Sequence, residues 1–111
     1  MKSKLSRDQE NASGIYTITC SGDSRIYIGS TANFKRRHYE HCSYYRYGYL
    51  SANLKDLADR FGFESFTFEV LELCDDKLNL KTMEQFYLNF FYDRLLNHKK
   101  IAVRNHKYDC K

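Results

Sequence analysis

The segment from Ser13 to Thr31, SGIYTITCSGDSRIYIGST, decides the fold of this 111-residue chain. Two runs that are rich in β-branched and aromatic residues, IYTITC and RIYIG, flank the turn-forming residues SGDS. This pattern predicts an antiparallel hairpin with Gly22 and Asp23 as its two-residue turn. The hairpin begins with Gly-Ile-Tyr and ends with Tyr-Ile-Gly, so each strand carries one tyrosine.

The predicted register places both tyrosines on one face of the hairpin. Tyr16 lies opposite Gly29 and Tyr27 lies opposite Ile18, and side chains alternate along each strand. The two tyrosines are then diagonal neighbours whose rings can touch. Gly29 has no Cβ and is expected to leave open space beside Tyr16. Two interpretations stay open at this point: the rings only pack together, or two phenols are held side by side for chemistry.

The rest of the chain predicts two helices, a third strand and a long last helix. Thr31 or Asn33 is suited to cap the first helix, and Ser51 to cap the second, which Gly62 ends. The alternating run SFTFEVLEL predicts the third strand. The last helix is expected at about residues 75–95. The order β-β-α-α-β-α predicts an α+β fold in which a short sheet packs its apolar face on helices.

Composition and charge limit the class of protein. The length allows one compact domain, and an aromatic content of 16% is typical of a folded chain. Residues 1–48 carry a net charge of +4, residues 49–97 carry −4, and residues 98–111 carry +4. Two basic ends around an acidic middle are compatible with a polyanionic partner bound at one face, and also with an ordinary mixed surface.

No membrane contact and no zinc site are expected. The chain has no apolar run long enough to span a bilayer, and its polar N-terminus lacks a secretory signal, so we expect an intracellular protein. The four cysteines, at positions 20, 42, 74 and 110, form no C-x-x-C pair. His38, His41 and Cys42 are close together, but no second cluster completes a tetrahedral set.

Residues beyond the hairpin favour the chemical interpretation. Arg37 and His41 are four residues apart and share one face of the first helix. An arginine fork and an imidazole beside two phenols can bind and act on a phosphodiester, although a solvated basic face is the alternative. Glu84 lies on an apolar stripe of the last helix, where its carboxylate needs a cation or a hydrogen-bond donor. Either a divalent ion or a lysine or arginine can meet that need, and Asn97 can add a polar group.

These residues resemble the GIY-YIG nuclease family. The two tripeptides stand at the family's short separation, and Arg37 and His41 follow at the expected distances within YIGSTANFKRRHYEH. The pair Asn53-Leu54 with FGFESFTFEVLE is similar to the middle segment of homing-type members. The stretch MEQFYLNFFYDRLLN is similar to their metal-binding helix. The resemblance covers about residues 13–98.

The resemblance implies a small three-stranded antiparallel sheet flanked by helices, and hydrolysis of DNA with one Mg²⁺ or Mn²⁺ ion. Glu84 is then the metal ligand, and Arg37 holds the scissile phosphate. Tyr16 acts on the attacking water as general base or positioner, Tyr27 contacts the same site, and His41 assists proton transfer. Structural support of the site is expected from three further residues: Gly14, Gly29 and Asn97.

The implied partner is DNA, expected to be double-stranded. The nuclease domain is expected at residues 13–98, between a flexible leader at 1–12 and a basic tail at 99–111. Phosphate contacts are expected from five basic residues: Lys35, Arg36, Arg46, Lys99 and Lys100. The tail is too short for another domain, so sequence choice is expected from a separate DNA-binding region, a protein partner or a homodimer. The alternatives are a catalytically silent DNA-binding module, a nuclease selective for branched DNA, and a protein-interaction domain that uses the tyrosines around Arg46.

Overall fold

A mixed sheet lies between two helical layers in the computed structural model, which describes residues 1–98, 100 and 102. The strands are β1 (Lys2–Ser3), β2 (Gly14–Cys20), β3 (Asp23–Thr31) and β4 (Phe66–Leu73). The helices are α1 (Phe34–Arg46), α2 (Ala52–Phe61) and α3 (Leu80–Phe90). The spatial strand order is β1-β4-β2-β3. The predicted α+β class is therefore confirmed.

The hairpin of β2 and β3 has the predicted tyrosine register but a different turn. Both tyrosines pair with the residues expected on the opposite strand. The turn lies one residue earlier than predicted, at Ser21 and Gly22, because Cys20 pairs with Asp23. A β-bulge directly after Thr19 shifts the pairing, so the residues beyond it have the predicted register. The tyrosines lie on the far side of this bulge, so their pairing is unaffected.

The sheet has four strands, so the prediction of three strands is wrong. Lys2–Ser3 pairs in parallel with Thr67 and Phe68 of β4, and the backbone N–H of Lys4 donates to the carbonyl of Phe68 at 2.9 Å. This pairing covers an edge of β4 that would otherwise expose unpaired backbone groups. The segment expected to be a flexible leader thus contributes to the sheet. A strand of two residues in a polar segment has no alternation that could reveal it in the sequence.

The first helix begins, and the second helix begins and ends, where the sequence predicts. Asn33 caps α1, because its side-chain oxygen accepts a hydrogen bond from the backbone N–H of Arg36 at 2.9 Å. Ser51 occupies the capping position of α2 but forms no side-chain capping bond. Helix α2 ends at Gly62, whose φ of +87° suits glycine.

Helix α3 is shorter than the predicted helix of residues 75–95. A 3₁₀ turn, Lys77–Asn79, precedes it. The Asp76 carboxylate accepts a hydrogen bond from the backbone N–H of Leu78 at 2.9 Å, and such a local bond competes with α-helical pairing. A second 3₁₀ turn, Tyr92–Arg94, follows α3.

After α3 the chain returns to the open edge of β3. Leu95 forms a parallel bridge with Ile26, and the backbone N–H of Leu96 donates to the carbonyl of Ile26 at 2.8 Å. The amide of Asn97 bonds to both backbone groups of Ile28, donating through Nδ2 at 2.8 Å and accepting through Oδ1 at 2.9 Å. The side chain therefore replaces the peptide group of a neighbouring strand beside the Tyr-Ile-Gly tripeptide.

The two faces of the sheet belong to separate apolar clusters. Tyr16 and Ile18 pack in one cluster with Phe34 of α1 and Leu57 of α2. Ile15 packs in the other cluster, which includes Leu88 of α3. Alternation along β2 therefore determines which helices each side chain meets. In the described part of the chain, no helix combines the length and apolar character needed to cross a bilayer.

Replacing Asn97 with alanine removes both bonds to the backbone of Ile28. We expect Asn97→Ala to lower the free energy of unfolding by about 2 kcal/mol, because two polar backbone groups lose their partner. Urea denaturation followed by circular dichroism measures this change. Asn89→Ala is the matched control, because Asn89 is exposed and bonds to Gln85 of its own helix. An equal loss of stability in the two variants would contradict the role given to Asn97.

Candidate functional site

The hydroxyl group of Tyr16 is the centre of a buried hydrogen-bonded cluster. Its ring is completely buried and stacks on Phe68, with ring centroids 4.6 Å apart. The Tyr16 oxygen lies 2.8 Å from His41 Nε2 and accepts a hydrogen bond from Arg37 Nε at 3.2 Å. Arg37 and His41 therefore share the face of α1 that lies against the hairpin, as their spacing predicts. Both side chains are buried.

The second tyrosine borders the same cluster. The ring centroid of Tyr27 lies 6.4 Å from that of Tyr16 and 5.8 Å from that of His41. A Cβ atom at Gly29 would overlap the Tyr16 ring. The expectation of open space beside Tyr16 is therefore wrong, because the Tyr16 ring itself occupies that space. The rings pack together and also surround a hydrogen-bonded hydroxyl, so the two interpretations of the hairpin do not exclude each other.

Burial keeps both phenols protonated. It raises the pKa of Tyr16 well above the ordinary value, although the Arg37 cation acts in the opposite direction. Burial also raises the pKa of Tyr27, where Arg37 again opposes the shift and the negative charge of Glu84 adds to it. A protonated phenol can position a water molecule. It can take a proton from that water only if it passes its own proton to another group.

His41 is the group that can receive this proton. Burial lowers the pKa of His41 to about 3, and the charges of Arg37 and His38 act in the same direction. The imidazole is therefore neutral at pH 7. Arg37 can only donate hydrogen bonds, so the Tyr16 oxygen accepts from it, and we assign the Tyr16 hydrogen to His41 Nε2. The ring proton of His41 then resides on Nδ1, which is buried and has no hydrogen-bond partner among the described residues.

Arg37 connects this cluster to a cleft of about 270 Å³ between α1 and α3. Its Nη1 donates to Glu40 at 2.9 Å, and its side chain is only 10% exposed. Arg36 also borders the cleft, and its side chain is 62% exposed. Lys81 of α3 and Ser30 at the end of β3 line the opposite side. The cleft thus has one buried and one exposed guanidinium on its α1 wall.

Glu84 lies on α3, across the edge strand β3 from the tyrosine cluster. Its Oε1 accepts a hydrogen bond from Ser30 Oγ at 2.6 Å and lies 3.3 Å from Lys81 Nζ. The sequence indicates that the Glu84 carboxylate needs a cation or a hydrogen-bond donor, and in the structure Lys81 is the cation. Ser30 and Lys81 line the cleft, as does Arg37, so this one cleft adjoins partners of both Glu84 and Tyr16.

The oxygen atoms of Glu84 and Ser30 suit a hard divalent cation. A carboxylate and a hydroxyl are oxygen ligands, and Mg²⁺ often takes one or two carboxylates while keeping several water molecules. Among the described residues, no three His, Cys, Asp or Glu side chains converge on one point. Glu84 with Ser30 beside it therefore suits a water-rich site better than a cage made only of protein ligands.

Two of the predicted support residues act on the backbone. A Cβ atom at Gly14 would overlap the carbonyl oxygen of Glu72, so glycine permits the close approach of β2 to β4. Asn97 holds β3, as described above. Asn53 lies within a family-like segment of the sequence, but sequence reasoning gave it no role; its Nδ2 donates to the carbonyl of Leu96 at 2.7 Å and fixes the segment that carries Asn97. Sequence reasoning missed three residues at the cleft: Ser30, Glu40 and Lys81.

The five basic residues expected to contact DNA occupy different parts of the molecule. Arg36 lines the cleft, and Lys35 is exposed beside it on α1. Arg46 is exposed in the last turn of α1. Lys100 lies over an aromatic ring beyond α3, with Nζ 4.3 Å from the centroid. Lys99 and most of the basic tail lie outside the described residues.

The neutral state of His41 predicts a pH-dependent stability. An unfolded histidine binds a proton at its ordinary pKa of about 6.5, whereas His41 in the folded chain does so only near pH 3. As the pH falls below 6.5 the unfolded state therefore gains protons first. We expect the free energy of unfolding to fall between pH 6.5 and 4.5, at a slope approaching about 1.4 kcal/mol per pH unit.

Urea denaturation at a series of pH values measures this slope. His41→Gln should remove most of the slope. His98→Gln is the control, because His98 is exposed, and it should leave the slope unchanged. An unchanged slope in His41→Gln would show that His41 is not held neutral.

Comparisons with known proteins agree with the observed α+β fold. A family model described as the GIY-YIG catalytic domain matches residues 12–97. A substituted catalytic domain of the intron endonuclease I-TevI superposes with a TM-score of 0.72 at 21% identity, covering 86% of this chain and 99% of that one. A structure of the catalytic domain of the homing endonuclease I-TevI gives a TM-score of 0.70 at 23% identity, covering 78% and 98%. At these identities the likeness to solved structures shows the fold alone. A search of curated proteins gives no significant match.

Proposed function

The chain belongs to the GIY-YIG family of nuclease catalytic domains, and on this premise we propose that it is a metal-dependent endonuclease that cleaves double-stranded DNA. The observation that carries the proposal is the buried cluster of Tyr16, His41 and Arg37 at one wall of a cleft. Glu84 with its polar partners lies behind the other wall. The two walls offer the groups that phosphodiester hydrolysis needs: donors for the phosphate, a path for the proton of water, and a hard oxygen ligand.

Arg37 and Arg36 bind the scissile phosphate. In the DNA-free protein Arg37 donates to Glu40 and to the Tyr16 oxygen, and a bound phosphate competes with these partners for its guanidinium group. The more exposed Arg36 can form the initial contact. A fork of N–H donors suits phosphate oxygens and stabilises the additional negative charge of the transition state.

Tyr16 relays a proton from the attacking water to His41. In the DNA-free protein the Tyr16 hydroxyl is buried beneath Arg37, so water reaches it when Arg37 moves towards a bound phosphate. The Tyr16 oxygen then takes a proton from water while its own proton passes to His41 Nε2. The phosphate charge offsets that of Arg37, which is one cause of the low His41 pKa, and this makes the imidazole a better base. Tyr27 packs against both rings and keeps them aligned.

Glu84 is the carboxylate that would hold the divalent cation, Mg²⁺ or Mn²⁺, with Ser30 beside it. When bound, a single ion of this kind lowers the pKa of water and offsets charge on the phosphate. The side chain of Glu84 is 12% exposed next to the cleft, and its carboxylate accepts hydrogen bonds from Ser30 and Lys81.

The remaining DNA contacts add affinity more than sequence choice. Lys35 and Arg36 on α1 and the basic residues of the tail at 99–111 can neutralise DNA phosphates. We take residues 13–98 as the nuclease unit in an intracellular setting. Recognition of a cleavage site then depends on a further DNA-binding region, a protein partner or a second copy.

Cleavage of supercoiled plasmid with Mg²⁺ or Mn²⁺ tests the proposal. We expect the wild-type chain to nick the plasmid, and Glu84→Gln to be slower by at least about a hundredfold because the cation loses its carboxylate. Glu69→Gln is the matched control, since Glu69 is exposed on β4 and its loss changes the net charge equally.

Equal rates for the wild type and Glu84→Gln would contradict the role of the carboxylate. A catalytically silent DNA-binding module gives a different result. It would bind plasmid in a salt-sensitive manner that is independent of metal, and it would cut none of the substrates.

A further inference from the structure

Lys81 occupies a position where it neutralises Glu84. Its Nζ lies 3.3 Å from Glu84 Oε1 and 3.4 Å from Ser30 Oγ. The two charged residues are three positions apart on α3, so they share one side of the helix. The side chain of Glu84 is 12% exposed, whereas that of Lys81 is 40% exposed. The carboxylate is thus fixed in place, and the lysine has room to move.

A divalent cation bound to Glu84 would lie next to the ammonium group of Lys81. Both positive charges would compete for the same carboxylate, and two cations in contact repel each other strongly in a partly buried site. The flexible lysine can resolve the conflict by rotating away, because four rotatable bonds link its ammonium to α3. It also lines the cleft that holds Arg36 and Arg37, so a DNA phosphate bound there offers it a new partner.

We propose that Lys81 is a resident counter-ion of Glu84 that competes with the divalent cation in the DNA-free protein and transfers to a DNA phosphate when metal and DNA are bound together. The inference rests on the proposed function, in which Glu84 is the metal ligand. Its consequence is a coupling between the two ligands. DNA withdraws Lys81 from Glu84 and so strengthens metal binding, and metal binding in turn strengthens DNA binding by the same factor.

Metal binding without DNA tests the competition. Calorimetric titration with MnCl₂ should give about fivefold tighter binding to Lys81→Met than to the wild type, the size expected from the loss of one half-exposed ion pair. Lys81→Arg keeps the charge and should bind Mn²⁺ nearly as the wild type does. The matched control is Lys55→Met, because Lys55 pairs with Asp59 on the surface of α2, and it should leave the affinity unchanged.

DNA binding tests the transfer. With Ca²⁺ present as a cation that also prefers oxygen ligands, Lys81→Met should bind duplex DNA more weakly than the wild type. The slope of log affinity against log salt should fall by about one, as expected for one lost phosphate contact. A lysine that only stabilised α3 would leave this slope unchanged.

The outcomes separate this inference from the function on which it rests. Unchanged or weaker Mn²⁺ binding by Lys81→Met, together with abolished binding by Glu84→Gln, would overturn the counter-ion role and leave the nuclease intact. Equal Mn²⁺ binding by the wild type and Glu84→Gln would show that Glu84 is not the metal ligand, and it would overturn both the proposed function of Glu84 and this inference. Tighter binding by Lys81→Met and a reduced salt slope would support both steps.

Discussion

The hydrogen bond between the Tyr16 hydroxyl and His41 Nε2 joins the central part of the sheet to α1 and fixes the position of the groups around it. Tyr16 is completely buried, and a buried hydroxyl without a partner costs about 1–3 kcal/mol. Helix α1 therefore has to present His41 and Arg37 at hydrogen-bonding distance. This constraint depends on the start of the helix at Asn33 and on the absence of a side chain at Gly29, whose Cβ would displace the Tyr16 ring.

The same arrangement divides the charges of the site between two walls. On α1, burial and the Arg37 cation keep His41 neutral, so the α1 wall of the cleft carries its positive charge on guanidinium groups. On α3, the carboxylate of Glu84 is compensated by Lys81. The protein therefore keeps an imidazole, a guanidinium group and a carboxylate around one cleft without leaving any of them as an isolated buried charge, which would be strongly unfavourable.

Parts of this arrangement follow from the sequence because short-range periodicity governs them. Alternation along the hairpin correctly places Tyr16 and Tyr27 on one face, and the spacing of Arg37 and His41 places both on one face of α1. Other features depend on tertiary contacts that have no local signal. The two-residue strand β1 forms because β4 has an open edge, and the space at Gly29 depends on the orientation of the Tyr16 ring. The partner of Glu84 also has no local signal, because a carboxylate on an apolar stripe predicts a lysine and a metal ion equally well.

The direction of the hydrogen bond between Tyr16 and His41 is the central claim, because the proton relay needs Tyr16 to donate. Nitrogen-15 NMR of the histidine rings in the DNA-free protein tests it most directly. We predict that His41 remains neutral from pH 5 to 8, with the proton on Nδ1 and with Nε2 unprotonated and shifted by an accepted hydrogen bond. A proton on Nε2, or a ring that titrates near its ordinary pKa of about 6.5, would contradict the relay.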